Sequence, residues 1–206
     1  MEKSFEILRS QNESCRYRLI PQPHFLMRLL DILFSFLGII LLSPLLSSIF
    51  CLSVIFQQGT PLFWQERVGR HEKVFVLIKF RTMRPNTDSV GTHLVNPDQV
   101  TLWGRFLRRT KIDELPQLWC VLKGEMSLVG PRPCLPNQFN LIEIRRKYGV
   151  FGTRPGITGL AQIEGIDMST PQLLAETDAA MIRSMCLAKY LQWIMQTLFS
   201  RRKVRG

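Results

Sequence analysis

Asp113 and Glu114 are adjacent carboxylates that follow a basic run, Arg105, Arg108, Arg109 and Lys111. Leu115, Leu118, Trp119 and Leu122 come next at spacings of three and four, the pattern of a helix with one apolar face. Pro116 fits only the first turn of such a helix. The spacing therefore predicts a helix that starts close to Asp113 and ends at Gly124. Asp113 is then an N-cap or first-turn residue, kept ionised by backbone N–H groups and the helix dipole. An ordinary capping Asp followed by a first-turn Glu gives the same local pattern.

The chain as a whole is expected to have an anionic partner. Lys and Arg number 27 against 16 Asp and Glu, a net charge of +11 over 206 residues. Such a balance points to nucleic acid, a phospholipid surface or a phosphorylated substrate. Lys79 and Arg81 share one face at the end of a predicted strand and could receive phosphate oxygens; a solvated strand edge reads the same way. Arg132 lies between Pro131 and Pro133, and Arg154 precedes Pro155-Gly156. A rigid turn can hold a guanidinium for bidentate phosphate binding, although prolines also serve turn geometry alone. The five cysteines and three histidines are dispersed and show no CxxC spacing. A reducing compartment is expected, without a disulfide framework or zinc site.

The elements that must position these residues begin with a polar arm over 1–24 and a membrane segment over 25–58. Ile32 to Phe56 is a run of 25 uncharged residues, longer than the roughly 20 that a spanning helix needs. Ser43-Pro44 sits at its centre, where proline removes a helical hydrogen bond and favours a kink. Ser43 or Ser47 could satisfy the carbonyl so released. Each arm is about 12 residues, roughly 18 Å of helix, short of a ~30 Å hydrocarbon core. Basic residues flank both ends, so neither end is an obvious candidate for translocation. Charge and proline together leave two alternatives: a re-entrant helix broken at Ser43-Pro44, or a straight span with a mild kink. Asp31 is expected to make an interfacial ion pair with Arg28.

The catalytic region is expected over 59–200, with a basic tail over 201–206. Leu62–Gln65 and Val74–Phe80 read as strands around a turn at Gly69-Arg70. Residues 85–99 read as a turn-rich loop. Leu102, Trp103, Phe106 and Leu107 alternate with Arg105, Arg108 and Arg109. That helix suits a membrane interface or a core with a basic outer face. Ser169-Thr170-Pro171 opens another helix, and Leu187 to Phe199 forms a last one, too short to span. Long alternating strand–helix units are absent, so the fold class is α/β (α+β): short helices and a small sheet behind the membrane helix.

Four segments carry a resemblance: Lys79-Phe80-Arg81-Thr82-Met83, Asp113-Glu114-Leu115-Pro116-Gln117, the stretch from Lys123 to Pro133, and Thr153 to Gln162. In this order, behind a Ser-Pro membrane segment, they resemble the bacterial sugar transferase family, in particular its small monotopic phosphoglycosyl transferases. The resemblance implies transfer of a sugar 1-phosphate from a UDP-sugar to polyprenyl (undecaprenyl) phosphate, initiating a lipid-linked glycan. It implies a site on the cytoplasmic face of the bacterial inner membrane, phospholipid contact, and glycosyltransferases acting downstream. Carried over residue by residue, Asp113 is the nucleophile, Glu114 belongs to a Mg2+ site, and Lys79, Arg81, Arg132 and Arg154 fall on basic motif positions. The competing reading is a membrane-tethered nucleic-acid-binding or scaffold protein without turnover. No nucleic-acid motif is present to support it.

The chain departs from the family beyond Leu160. Relatives often carry Trp before the Ala-Gln and Asn-Gly-Arg after it, where Leu160 and Glu164-Gly165-Ile166-Asp167 stand here. A frequent tyrosine pair is replaced by Ala179-Ala180 after Asp178. These differences bear on the sugar. Asp167 and Asp178 are read as ligand contacts, or more simply as a helix cap or solvated helix face.

Overall fold

Phe25 to Phe56 is long and apolar enough to cross a membrane. In the computed structural model, which describes residues 24–57, 59–84 and 97–199, it belongs to one helix, α1 (His24–Phe56). Most of the expected polar arm, most of the 85–99 loop and the basic tail lie outside the described residues. The helix runs through Pro44. Proline has no N–H to give the carbonyl of Ile40, and Ser43 Oγ donates to that oxygen at 2.7 Å. The side chain thus replaces the missing backbone donor within the helix.

Both ends of α1 attach to the rest of the protein. Near its start, Arg28 donates to the carbonyls of Val121 (2.7 Å) and Leu122 (3.1 Å). Near its end, Trp103 Nε1 donates to Ser53 Oγ at 2.9 Å, and Gln57 Nε2 to the Arg81 carbonyl at 3.0 Å. Between them, Ile40 and Leu41 are exposed.

Asp31 corrects an expectation. It lies 3.8 Å from Arg28, yet it is buried at 2 % exposure and not interfacial. Its Oδ1 accepts from Tyr190 OH (2.6 Å), Leu128 N (2.8 Å) and Ser127 Oγ (3.0 Å). Three donors satisfy a carboxylate that burial alone would penalise heavily. The membrane helix is thereby pinned to a strand and to the last helix.

The hairpin is as expected: β1 (Leu62–Val68) pairs antiparallel with β2 (Val74–Phe80), Phe63 opposite Lys79. A short turn with His71 at φ 56° joins the strands. Helix α2 (Leu102–Thr110) follows, capped by Thr101 Oγ1, which accepts from Gly104 N. Gly104 is required there, because a Cβ would stand 2.0 Å from the Thr82 carbonyl oxygen. Leu107 points into the core while Leu102 and Phe106 remain exposed beside Arg105 and Arg109. The helix thus has both a core contact and an outward face of mixed apolar and basic residues.

A 3-10 turn (Ile112–Glu114) precedes α3 (Gln117–Lys123), whose end is Gly124 in the left-handed region. Then come β3 (Ser127–Val129), α4 (Phe139–Lys147), β4 (Gly156–Thr158), α5 (Leu160–Glu164), α6 (Pro171–Arg183) and α7 (Leu187–Phe199). β3 and β4 pair in parallel. Gly130 and Gly156 permit their close approach: a Cβ on Gly156 would meet Gly130 N at 2.0 Å. The described residues thus hold two separate two-stranded sheets where one small sheet was expected. Buried Val129, Leu160, Met181, Tyr190 and Trp193 form a core cluster that also takes Met27 of α1.

Candidate active site

Asp113 sits in the 3-10 turn, three residues before Pro116, which takes the capping position of α3 that the sequence suggested for Asp113. Turn-type bonds such as Leu115 N to the Ile112 carbonyl (3.1 Å) precede Pro116, and α3 begins only at Gln117. The carboxylate is 8 % exposed. Burial, with Glu114 beside it, pushes its pKa up to about 6, against the lowering effect of Lys79, Arg108 and Arg132. Asp113 is still mainly ionised at neutral pH, as expected, but it holds its charge against burial, because desolvation outweighs the cations around it.

Asp113 lines a cavity of about 440 Å³. Four cationic side chains, Lys79, Arg108, Lys111 and Arg132, line it against two carboxylates, Asp113 and Glu114. The remainder is largely apolar, with Leu115, Leu118 and Leu128 from one stretch of chain and Ile194 and Leu198 from α7. Lys79 is half-buried, its Nζ 5.4 Å from the Phe63 ring centre. Burial, then the nearby Arg67, lowers its pKa to about 8. Arg132 Nη2 donates to Glu114 Oε1 at 3.0 Å. Lys111, in the left-handed region at φ 59°, donates to the Thr197 carbonyl at 3.1 Å and so ties α7 to the turn that carries Asp113.

Of the basic residues singled out in the sequence, Lys79 and Arg132 reach the cavity; Arg81 and Arg154 are not among its lining residues. Arg81 follows the end of β2 and turns to Thr60, donating to its carbonyl at 2.9 Å and to its hydroxyl at 2.8 Å. Arg154 Nε donates to the Gly124 carbonyl at 2.9 Å. With Arg28 on Val121 and Leu122, it covers the carbonyl end of α3, where a helix leaves acceptors unmatched.

Other functional candidates were not legible as such. Arg108 reads as part of an outward basic face, yet it lines the cavity and its Nε donates to Thr82 Oγ1 at 2.9 Å. Arg67 is buried in β1, with a pKa lowered to about 10 by burial and by Arg132. Its position one residue before the β1 end, on the same face as Gln65, was the available signal. Asp178 is neither a cap nor a solvated residue: it is buried and ion-paired with Arg145 at 2.6 Å. Asp167 accepts from Ser169 N at 2.9 Å, a local turn cap, and does not line the cavity.

A family model, "Bacterial sugar transferase", matches residues 22–203. This chain belongs to the bacterial sugar transferase family. It is 36% identical over 177 residues to an undecaprenyl-phosphate galactose phosphotransferase of Salmonella typhimurium, covering 77% of this chain and 36% of that protein. An N-acetylgalactosaminephosphotransferase of Aeromonas hydrophila, named for UDP-N-acetylgalactosamine and undecaprenyl phosphate, is 39% identical over 152 residues, 70% of this chain and 36% of that protein. An uncharacterized sugar transferase of Bacillus subtilis, EpsL, is 48% identical over 110 residues, 52% of this chain and 53% of that one. This family member spans about a third to a half of the length of these relatives.

Does the site fit a divalent cation? Among the described residues no group of three or more His, Cys, Asp and Glu gathers. Magnesium needs only one or two carboxylates when substrate phosphates complete its shell. The Glu114 charge raises the cost of ionising Asp113, a repulsion that a cation relieves. The pair therefore fits a magnesium ion shared with a phosphorylated ligand, and does not form a self-sufficient metal cage.

Proposed function

We propose that this protein is a phosphoglycosyl transferase that moves a sugar 1-phosphate from a UDP-sugar to a membrane polyprenyl phosphate, starting a lipid-linked glycan. The observation that carries the reading is Asp113, a buried carboxylate facing Lys79, Arg108 and Arg132 in one cavity. Cations in excess over carboxylates suit a diphosphate. A carboxylate among them can approach that anion because the repulsion is already offset.

The steps balance as follows. An Asp113 oxygen bonds to the sugar-bearing phosphorus of the UDP-sugar, and the phosphorus–oxygen bond to UMP breaks. UMP carries away the electron pair, leaving a phosphosugar on Asp113. A phosphate oxygen of the polyprenyl phosphate then attacks that phosphorus, and the bond to Asp113 breaks, restoring the carboxylate. Arg132 and Lys79 neutralise charge on the transferring phosphate, and Arg108 holds the opposite charge beside Asp113. Glu114 would hold Mg2+, which when bound supplies further neutralisation of the diphosphate.

The acceptor is lipid, and α1 sets the site beside its source. A straight helix of this length measures roughly 50 Å, more than the ~30 Å core of a bilayer. Arg28 at one end and Gln57 at the other both bond to the same folded domain. This supports a helix that enters and leaves the membrane on one side, the cytoplasmic face, with Ser43-Pro44 as its turning point.

The test incubates purified protein with UDP-sugars and magnesium, without lipid acceptor. UMP release is expected with some UDP-sugars, together with a protein-bound phosphosugar that Asp113→Asn cannot form. Normal turnover by Asp113→Asn would overturn the reading.

A further inference from the structure

Arg132 is held from behind. The turn Pro131-Arg132-Pro133 lacks two backbone N–H groups, so it cannot build a hydrogen-bond pattern of its own. All three of its carbonyls are bound from outside. Pro131 O accepts from Gly156 N at 2.9 Å, Arg132 O from Arg145 Nη1 at 2.8 Å, and Pro133 O from Arg67 Nη1 at 3.0 Å. Arg145 is in turn paired with Asp178 of α6 at 2.6 Å, each side chain 2 % exposed. Neither Arg145 nor Asp178 lines the cavity.

We propose that the buried Arg145–Asp178 pair is a positioning device for the candidate active site. Asp178 fixes Arg145, Arg145 fixes the Arg132 carbonyl, and the Arg132 guanidinium is thereby aimed at Glu114 and at the transferring phosphate. The inference rests on the proposed role of Arg132 in that reaction. A buried ion pair contributes little net stability over an apolar pair of similar volume. What an apolar pair cannot supply is the donor that the Arg132 carbonyl receives here. Misplacement by about 1 Å at a reacting centre can lower the rate by about 100-fold, so a backbone anchor one residue from the guanidinium matters.

The experiment is a double-mutant cycle on the full chain, in detergent or lipid nanodiscs. Arg145→Lys keeps the charge next to Asp178 but loses the fork that serves Asp178 and the Arg132 carbonyl together. It is expected to lower UMP release by about 30-fold or more in the wild-type background, and by less than about 2-fold in Arg132→Ala. A stability defect alone predicts equal factors in both backgrounds, and that result overturns the proposal. A second variant, Arg145→Met with Asp178→Leu, is expected to keep the melting temperature and lose the same activity; full activity would overturn the proposal.

Calorimetric binding of inorganic pyrophosphate with magnesium supplies a readout independent of turnover. Affinity is expected to fall about 10-fold in Arg145→Lys and in Arg132→Ala, with no further fall when the two are combined. Coupling in binding without turnover of any UDP-sugar would sink the donor assignment and leave the positioning role standing. Turnover without coupling would do the reverse.

Discussion

Arg132 Nη2 and Glu114 Oε1 are 3.0 Å apart, an ion pair formed across the cavity between a proline-locked turn and the residue next to Asp113. Both side chains keep a quarter or more of their surface accessible, so the pair is worth little to stability and its charges stay available to a ligand. The Glu114 carboxylate accounts for most of the raised Arg132 pKa. In the proposed reaction an incoming phosphate would compete with Glu114 for that guanidinium, and a cation on Glu114 would release it.

Arg132→Ala is accordingly expected to lower kcat/KM for the UDP-sugar by about 100-fold, or about 3 kcal/mol, as for loss of a charged donor at a developing anion. The melting temperature should stay within a few degrees. Arg132→Lys should recover only part of the loss, because an ammonium cannot replace the planar fork. Steady-state UMP release checks this; activity within threefold of wild type would remove Arg132 from the donor site.

The pH profile of kcat/KM should have an acid limb near 6 and a decline above about 8. The first marks ionisation of Asp113, raised by burial and by Glu114. The second marks loss of the Lys79 charge, whose pKa burial and Arg67 lower. Arg108 lowers the Asp113 pKa, so Arg108→Met should move the acid limb to higher pH. A shift to lower pH would show that another group sets the limb.

Asp113 should destabilise the fold at the pH where it works. Its folded pKa of about 6 lies above the ordinary 3.8, so its contribution is fully present below 3.8 and lost as pH rises through 6. The difference corresponds to about 3 kcal/mol above that window. Asp113→Asn removes the cost, and its melting temperature should exceed that of wild type by more at pH 8 than at pH 5. Equal or opposite differences at the two pH values would contradict the desolvated environment.

The proposed one-sided course of α1 is open to chemical labelling. In a cysteine-free background, Phe25→Cys and Thr60→Cys should both react with an impermeant maleimide only from the cytoplasmic side. Labelling of either from outside would establish a spanning helix. Pro44→Ala restores the backbone donor that Ser43 Oγ now replaces at the Ile40 carbonyl, and is expected to reduce the one-sided population.

Local chemistry made much of this protein legible from sequence. The uncharged run from Ile32 to Phe56, the β1–β2 hairpin, the helix opened by Thr170-Pro171 and the rigid turn around Arg132 each depend on periodicity or on proline and glycine, which act within a few residues. The motif order sufficed for the family, and Asp113, Glu114, Lys79 and Arg132 meet in one cavity. Packing between distant segments decided the rest. Arg108 turns inward to Thr82 while Arg81 turns away to Thr60, although both belong to basic stretches beside apolar residues. Asp31 is buried because Tyr190, remote in the chain, brings it a hydroxyl donor. Arg145 is inward because Asp178 on another helix awaits it. Asp113 titrates high because desolvation sums over every neighbour, and no short window of sequence contains that sum.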